Sequence, residues 1–162
     1  WKTTPDIMCL AKGIAGGVPM GVTLVRPDIL SVMKKGEHSS TFGGNPLACA
    51  AGTATLQALT QDGLVENAKN MGDKFLHGLN DLKSKHKIIR EIRGKGLMIG
   101  VELKFEVKDI LMEGIKKGLL LLYSGRNILR LLPPLVMSDE DVTKSLQILD
   151  VLLTNEEGRR NV

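Results

Sequence analysis

A long apolar stripe near the middle of the sequence does most to limit what this chain can fold into. Its members recur at steps of three and four, as on one face of an amphipathic helix; they are Leu64, Ala68, Met71, Phe75, Leu79 and Leu82. After Lys87 the pattern becomes extended, and it predicts strands over 88–92, 97–103, 119–122 and 128–132. The stripe and the strands together predict helices packed on a sheet.

Capping signals lie on both sides of this region. Gly63 separates the striped helix from an alanine-rich helix that begins at Asn45-Pro46, since asparagine is a favoured cap and proline fits a first helical turn. Ser138, with Asp141 three residues later, forms a capping box before a last helix. The sequence therefore divides into three parts: a domain over 1–62, a domain over 63–154 and a frayed polar tail over 155–162.

The composition is that of an ordinary globular protein, with 43% apolar and 25% charged residues among 162. No apolar run approaches the roughly 20 residues that span a bilayer, so no membrane association is expected. Cys9 and Cys49 lie in apolar surroundings and are interpreted as small core residues of a protein in the reducing cytoplasm. Neither cysteine has a partner at metal-ligand spacing, so no metal site is expected.

Basic residues crowd one stretch of the chain, at Lys83, Lys85, Lys87, Arg90, Arg93 and Lys95. This pattern fits either a nucleic-acid surface or a solvated helix end followed by a hairpin. Aromatic residues make up only 3% of the chain and none interrupts the run, so side chains for base stacking are missing. We therefore favour the solvated surface and expect no nucleic-acid partner.

Lys12 is a lone amine between an apolar run and the glycine-rich segment that follows it. Predicted strands over 6–11 and 20–26 flank this segment. Scarcity of water favours the neutral form of a lysine amine, and a neutral amine can attack a carbonyl to form a Schiff base. A surface lysine just past a strand end explains the same pattern equally well.

Hydroxyls, glycine amides and a helix N-terminus converge in residues 38–46, which include Ser40 and Thr41. Anions such as phosphate bind at helix N-termini, where backbone amides are unpaired. The segment is not a Walker loop, because the Gly-Lys-Ser/Thr ending is absent. The alternatives are an anion site and a glycine-rich turn with an ordinary cap.

Arg130 stands among apolar neighbours that suggest a buried strand. A guanidinium stays charged in proteins, so its burial is costly unless acceptors meet it. Either a structural carboxylate or the carboxylate of a ligand can fill that role, and the sequence alone does not separate the two.

Four segments in this order resemble the class III, pyridoxal-phosphate-dependent aminotransferases: residues 10–21, 40–48, 93–100 and 128–135. The resemblance covers the chain to about Leu153. It implies an α/β fold, namely the C-terminal part of a fold-type I transferase: the end of the large cofactor domain followed by the small α+β domain.

The resemblance also implies roles for individual residues. Lys12 matches the lysine that forms the Schiff base with the cofactor and moves the proton during transamination. Thr41, with Ser40, matches the residues that bind the cofactor phosphate of the partner subunit in a homodimer. Arg130 matches the arginine near the substrate site, which pairs with an active-site glutamate in relatives that accept two substrates.

The parts of the family that precede the lysine are not in this sequence. They include the main phosphate loop, the aromatic residue stacked on the cofactor ring, the aspartate on the pyridine nitrogen and the partner glutamate. Because the chain also begins at Trp1, it is expected to be a fragment, a cleaved product or one part of a split protein. A separately encoded N-terminal portion is then a partner, and an assembly-only subunit is the alternative to an enzyme.

Within the family, the resemblance favours acetylornithine aminotransferases and relatives acting on carrier-linked lysine, with 2-oxoglutarate as amine acceptor, in arginine or lysine biosynthesis. Glu102-Leu103 runs almost directly into a short amphipathic helix from Val107 that stops at Gly118. The 4-aminobutyrate aminotransferases, which are the alternative, commonly carry an insertion at this point.

Overall fold

A computed structural model describes residues 2–161, which form two compact units; the first ends at Gly63 and the second begins at Leu64. The elements of the first unit are β1 (Ile7–Leu10), one 3₁₀ turn (Lys12–Ala15), β2 (Val22–Val25), α1 (Pro27–Leu30) and α2 (Pro46–Gln61). β1 and β2 pair in antiparallel fashion, and the 3₁₀ turn lies in the connection between them.

α2 begins where the sequence predicts, because the Asn45 side chain accepts a hydrogen bond from the amide of Ala48 at 3.0 Å. Farther along α2, Gly52 is buried against the segment that follows β1. A Cβ on Gly52 would lie 2.9 Å from the sulfur of Met20 and 3.7 Å from the carbonyl oxygen of Ile14. This close approach holds the middle of α2 against the turn that contains Lys12.

The first unit leaves much apolar surface accessible. Ile7 is 54% exposed and Leu24 is 47% exposed. Cys9 and Cys49 are also exposed, so the expectation that they are core residues is wrong for the described chain. The reason for Cys9 is that β1 and β2 form a sheet of only two strands, which no other strand among residues 2–161 extends.

The second unit packs three helices with a four-stranded antiparallel sheet of order β3-β4-β6-β5. Its elements are α3 (Leu64–Lys85), β3 (Ile89–Lys95), β4 (Met98–Leu103), α4 (Lys108–Lys116), β5 (Leu122–Ser124), β6 (Ile128–Leu131) and α5 (Asp139–Arg160). α3 lies close to the turn between β3 and β4, since a Cβ on Gly72 would overlap the backbone of Gly96.

The sheet of this unit has one buried apolar face and one more exposed face of mixed character, on which Leu122 lies opposite Arg130. The apolar face joins the core formed with α3 and α5, and its buried residues include Ile99, Val101, Leu103, Leu129 and Leu131. Between them along the strands lie Gly100, Glu102 and Arg130, which therefore point to the opposite face. We call this opposite side the outer face of the sheet.

Three sequence-based boundaries differ clearly from the structure, and one of them is that β3 ends at Lys95 rather than at residue 92. β5 begins at Leu122 rather than Leu119, because the Leu119 amide bonds the carbonyl of Gly114 at the end of α4 instead of joining the sheet. The frayed tail expected after residue 154 is also wrong as far as Arg160, because α5 continues to that residue.

Contacts made by Glu156 explain why α5 is so long. Its buried carboxylate accepts a 2.7 Å hydrogen bond from Nε of Arg160 and pairs with Arg159 at 3.4 Å. The guanidinium of Arg160 lies 3.7 Å from the ring centroid of Phe105. Ion pairs and a cation–π contact thus stabilise the last turns of a polar segment. Along residues 2–161, none of the helices has the length and apolar character needed to cross a membrane.

Candidate active site

Lys12 occupies the first position of the 3₁₀ turn, two residues after the end of β1. Its backbone has φ of +60°, in the left-handed region that side-chain-bearing residues rarely adopt. Such strain costs on the order of 1–3 kcal/mol and is concentrated at functional sites. The Lys12 side chain is exposed, so the water-poor setting considered from the sequence is absent from the described chain.

The loop before α2 is held by its own side chains. The hydroxyl oxygen of Ser40 accepts a hydrogen bond from the Gly43 amide at 3.0 Å. The Asn45 side chain donates to the carbonyl oxygen of Phe42 at 2.9 Å. These two bonds fix the loop against the start of α2 and leave the Thr41 side chain exposed.

A cleft of about 280 Å³ lies between this loop and the segment that follows the Lys12 turn. Its walls are residues 19–21, Ser40, residues 42–45 and the α2 residues Ala48 and Cys49. The structure therefore brings Ser40 next to the glycine-rich segment after Lys12. Neither Lys12 nor Thr41 is among the residues that line the cleft.

The first unit offers side chains and backbone amides that suit the phosphate and the aldehyde of pyridoxal phosphate. Ser40 and Thr41 carry hydroxyls in the loop that precedes a 16-residue helix, and at the start of that helix the amide of Leu47 has no hydrogen-bond acceptor among the described residues. This donor set fits a phosphate oxyanion. The exposed amine of Lys12 fits an aldehyde.

Arg130 lies on β6 and points to the outer face of the sheet, where it is exposed. The buried setting suggested by its apolar neighbours is therefore wrong, because Leu129 and Leu131 point to the core and Arg130 points away. The side chain of Arg130 forms no hydrogen bond or ion pair with another residue of the described part of the chain. A carboxylate that meets it must come from elsewhere.

A second group of charges on the outer face was missed by the sequence analysis. Glu102 accepts hydrogen bonds from Arg93 at 3.0 Å and from Arg90 at 3.3 Å. The bond from Arg93 is the main reason that the pKa of Glu102 lies below its usual value. The alternation of Val101, Glu102 and Leu103 was the available signal, since it places the carboxylate opposite the core.

Within residues 2–161, no three histidine, cysteine, aspartate or glutamate side chains are grouped so that they could hold a metal ion. The chemistry that the described side chains offer is that of an amine, a hydroxyl-rich helix N-terminus and an unpaired guanidinium.

Comparison with known proteins places these features in a family context. The family described as Aminotransferase class-III matches residues 1–153. Acetylornithine aminotransferase of Caldanaerobacter subterraneus subsp. tengcongensis is 48% identical over 155 residues, and ornithine aminotransferase 1 of Staphylococcus saprophyticus is 40% identical over 155 residues. These matches cover 95% and 94% of this chain but only 39% of each relative, so the chain spans about two fifths of their length.

Solved structures of aminotransferases also match nearly all of this chain. Acetylornithine aminotransferase of Elizabethkingia anophelis superposes with a TM-score of 0.89 at 33% identity, over 94% of this chain and 42% of the other. Ornithine aminotransferase of Toxoplasma gondii, reported with partial occupancy of PLP at its active site, superposes with a TM-score of 0.93 at 33% identity. That match covers 99% of this chain and 39% of the other.

Proposed function

Because the chain belongs to the class III aminotransferase family, whose members depend on pyridoxal phosphate, we propose that it forms the C-terminal part of an enzyme that transfers an ω-amino group to 2-oxoglutarate. The donor is N-acetylornithine or a carrier-linked lysine. The observation that carries the proposal is Lys12, an exposed amine held on a strained turn directly after β1.

Lys12 holds the cofactor through its Nζ atom. Bound pyridoxal phosphate supplies the electron sink that makes the amine-bearing carbon of the substrate acidic. Besides holding the cofactor, the Nζ amine of Lys12 would accept the proton from that carbon and return it during the transfer. The packing supports this role, because Ile14 in the same turn and Gly16 just after it lie close to α2.

Ser40 and Thr41 bind the phosphate of the cofactor, and in the homodimer this cofactor belongs to the partner subunit. The hydroxyls and the α2 N-terminus supply donors to the oxyanion. Two large apolar residues beside the loop, Phe42 and Leu47, are 81% and 71% exposed. Burial of these residues against a second subunit would remove them from water, which supports the placement of the loop at the dimer interface.

Arg130 binds a substrate carboxylate. Its guanidinium has no partner among the described residues, and a charge-assisted pair with a carboxylate is one of the stronger hydrogen-bonding arrangements. In an enzyme that accepts both an amine donor and 2-oxoglutarate, this arginine pairs with a glutamate from the upstream part whenever no carboxylate ligand is present.

Two other donors are compatible with the family. The Staphylococcus saprophyticus relative is named as an ornithine aminotransferase, so unacetylated ornithine is the second candidate. The short connection from Leu103 to α4 at Lys108 argues against the 4-aminobutyrate type. The alternative that is not an enzyme is a subunit that serves assembly without catalysis.

The proposal is tested with this chain purified alone and with the chain assembled with, or fused to, the upstream portion that its relatives carry. We refer to the second preparation as the complete enzyme. Turnover of N-acetylornithine with 2-oxoglutarate is expected in the complete enzyme and not in the chain alone, because the parts that orient the cofactor ring are upstream. Ornithine and 4-aminobutyrate serve as comparison donors. Full turnover by the chain alone would contradict the proposed division of the site, and no turnover of any donor by a folded, cofactor-bound complete enzyme would support the assembly role.

A further inference from the structure

The outer face of the sheet contains a gap beside Arg130. Arg130 on β6 lies opposite Gly100 on β4, and Gly100 lies opposite Arg93 on β3. Residues that face each other on neighbouring strands present their side chains on the same face. Gly100 therefore separates two arginines with a position that carries no side chain.

The two arginines beside this gap differ in their hydrogen-bond partners. Arg93 donates hydrogen bonds to Glu102 at 3.0 Å and to Glu91 at 2.9 Å, and these carboxylates raise the pKa of its guanidinium. Arg130 has no such partner among the described residues. The charge of Arg93 is thus offset within the sheet, whereas the charge of Arg130 is available next to the gap.

The fold does not require glycine at position 100. A Cβ there would meet only the Ile128 side chain at 3.4 Å and the Arg93 carbonyl oxygen at 3.9 Å, which are ordinary contacts. Its φ also lies outside the left-handed region, so the backbone conformation suits any residue. Gly72, by contrast, cannot carry a Cβ without displacing the Gly96 backbone.

Glycine inside a strand lowers stability, and at position 100 no close packing contact offsets this loss. It is less favourable than alanine by roughly 0.5–1 kcal/mol, because it loses more conformational freedom on folding. A strand glycine often marks a bulge, a tight bend, or the close approach of a ligand or another backbone, and the strand register is regular at Gly100. At Gly100, the neighbouring unpaired guanidinium indicates which ligand group approaches.

We propose that Gly100 determines substrate access to Arg130, by leaving the space through which a carboxylate reaches the guanidinium. The inference rests on the proposed function, in which Arg130 binds the carboxylate of the keto acid. A larger side chain at position 100 fills the space between the two strands on the outer face. It crowds the Arg130 stem and the incoming carboxylate without disturbing the core.

The test compares Gly100→Val, Gly100→Ala and Arg130→Gln in the complete enzyme. Ser124→Val is the matched control, because Ser124 is exposed on the same face of the sheet but lies opposite Ile128 rather than Arg130. The measurements are KM and kcat for 2-oxoglutarate, the Kd of glutarate by calorimetry and the Tm. Glutarate is a dicarboxylate without a keto group, so its binding reports on recognition and not on turnover.

We expect Gly100→Val to raise KM and the glutarate Kd about tenfold, the loss that corresponds to one charge-assisted hydrogen bond. Gly100→Ala should have a smaller effect, and Ser124→Val should have none. The Tm of Gly100→Val should not fall, since valine is favoured in strands and its Cβ has room.

Two results would overturn the inference while leaving the proposed function in place. One is an unchanged KM and Kd in Gly100→Val while Arg130→Gln raises both. The other is a lower Tm or failed assembly in Gly100→Val, which would assign the glycine to packing. Unchanged KM and Kd in Arg130→Gln would overturn the carboxylate role of Arg130 and the inference with it.

Discussion

His86 and Asp150 connect the end of α3 to α5 through a 2.6 Å hydrogen bond between Nε2 and Oδ1. The other ring nitrogen of His86 lies 2.8 Å from a carboxylate oxygen of Glu157, and the ring is buried. Both ring nitrogens of His86 therefore lie within hydrogen-bond distance of carboxylates on α5. His86 thus binds two positions of α5 that are nearly two turns apart.

Replacement of His86 by glutamine should destabilise the chain. The change removes the two hydrogen bonds between the buried ring and the carboxylates of Asp150 and Glu157, although Asp150 keeps its bonds from Lys85. The expected loss is about 1–3 kcal/mol in the free energy of unfolding, measured by urea denaturation. His77→Gln is the control, since His77 is exposed on α3 and should tolerate the change. Equal stability of the two variants would show that the His86 contacts contribute nothing.

Asp150 should make the stability of the protein depend on acidity. Its pKa lies below the usual value, chiefly because Lys85 donates a hydrogen bond to it and also because His86 does. A carboxylate whose pKa is lowered on folding stabilises the folded state above the unfolded-state pKa of about 3.9, and that contribution is lost as pH falls through the lower folded value.

The loss of stability at acid pH tests whether Asp150 contributes in this way. Urea denaturation between pH 7 and the acid limit should show a loss of stability on acidification that is smaller in Asp150→Asn. Lys85→Gln should remove part of the same dependence, because it removes the largest cause of the lowered pKa. An acid limb that is unchanged in both variants would contradict the assignment.

The left-handed backbone at Lys12 predicts different stabilities for two variants that both lack the amine. Glycine adopts φ of +60° without the Cβ clash that alanine suffers. Lys12→Gly should therefore be more stable than Lys12→Ala by about 1 kcal/mol in urea denaturation, with neither variant active in the complete enzyme. Equal stability of Lys12→Ala and Lys12→Gly would argue against backbone strain at this turn.

Thr41 should contribute to cofactor affinity without affecting the fold, since its side chain is exposed. Thr41→Ala in the complete enzyme should weaken pyridoxal phosphate binding by about 1.5–3 kcal/mol, the value of one hydrogen bond to a charged group. Fluorescence titration of the apoenzyme measures this change. Thr60→Ala is a suitable control, because the Thr60 hydroxyl donates to backbone carbonyl groups of its own helix. Equal affinity in the two variants would place Thr41 outside the phosphate site.

Local signals in the sequence were sufficient for the starts of α2 and α5. Asn45-Pro46 and Ser138 cap α2 and α5 as predicted, because capping depends on residues within one turn. The end of α5 was not predictable in this way. Its last turns depend on contacts of Glu156 with Arg160 and of Arg160 with Phe105, which is 55 positions earlier in the sequence.

The candidate site could be proposed from the sequence as a set of residues but not as an arrangement. The chemistry of Lys12, Ser40, Thr41 and Arg130 can be read from residue type and motif. The exposure of Arg130 follows from strict alternation with buried Leu129 and Leu131, which the apolar run concealed. The pairing of Arg130 with Gly100 requires the strand register, and positive φ at Lys12 has no sequence signal because lysine does not favour it.

The measurement that tests the account most directly is the identity of the lysine that holds the cofactor. The complete enzyme is loaded with pyridoxal phosphate and reduced with borohydride, which fixes the cofactor to the amine that binds it, and the labelled peptide is then mapped. We predict that the label lies on Lys12 and is absent from Lys12→Ala. A label on Lys34, Lys35 or Lys95 in place of Lys12 would contradict the proposed function at its centre.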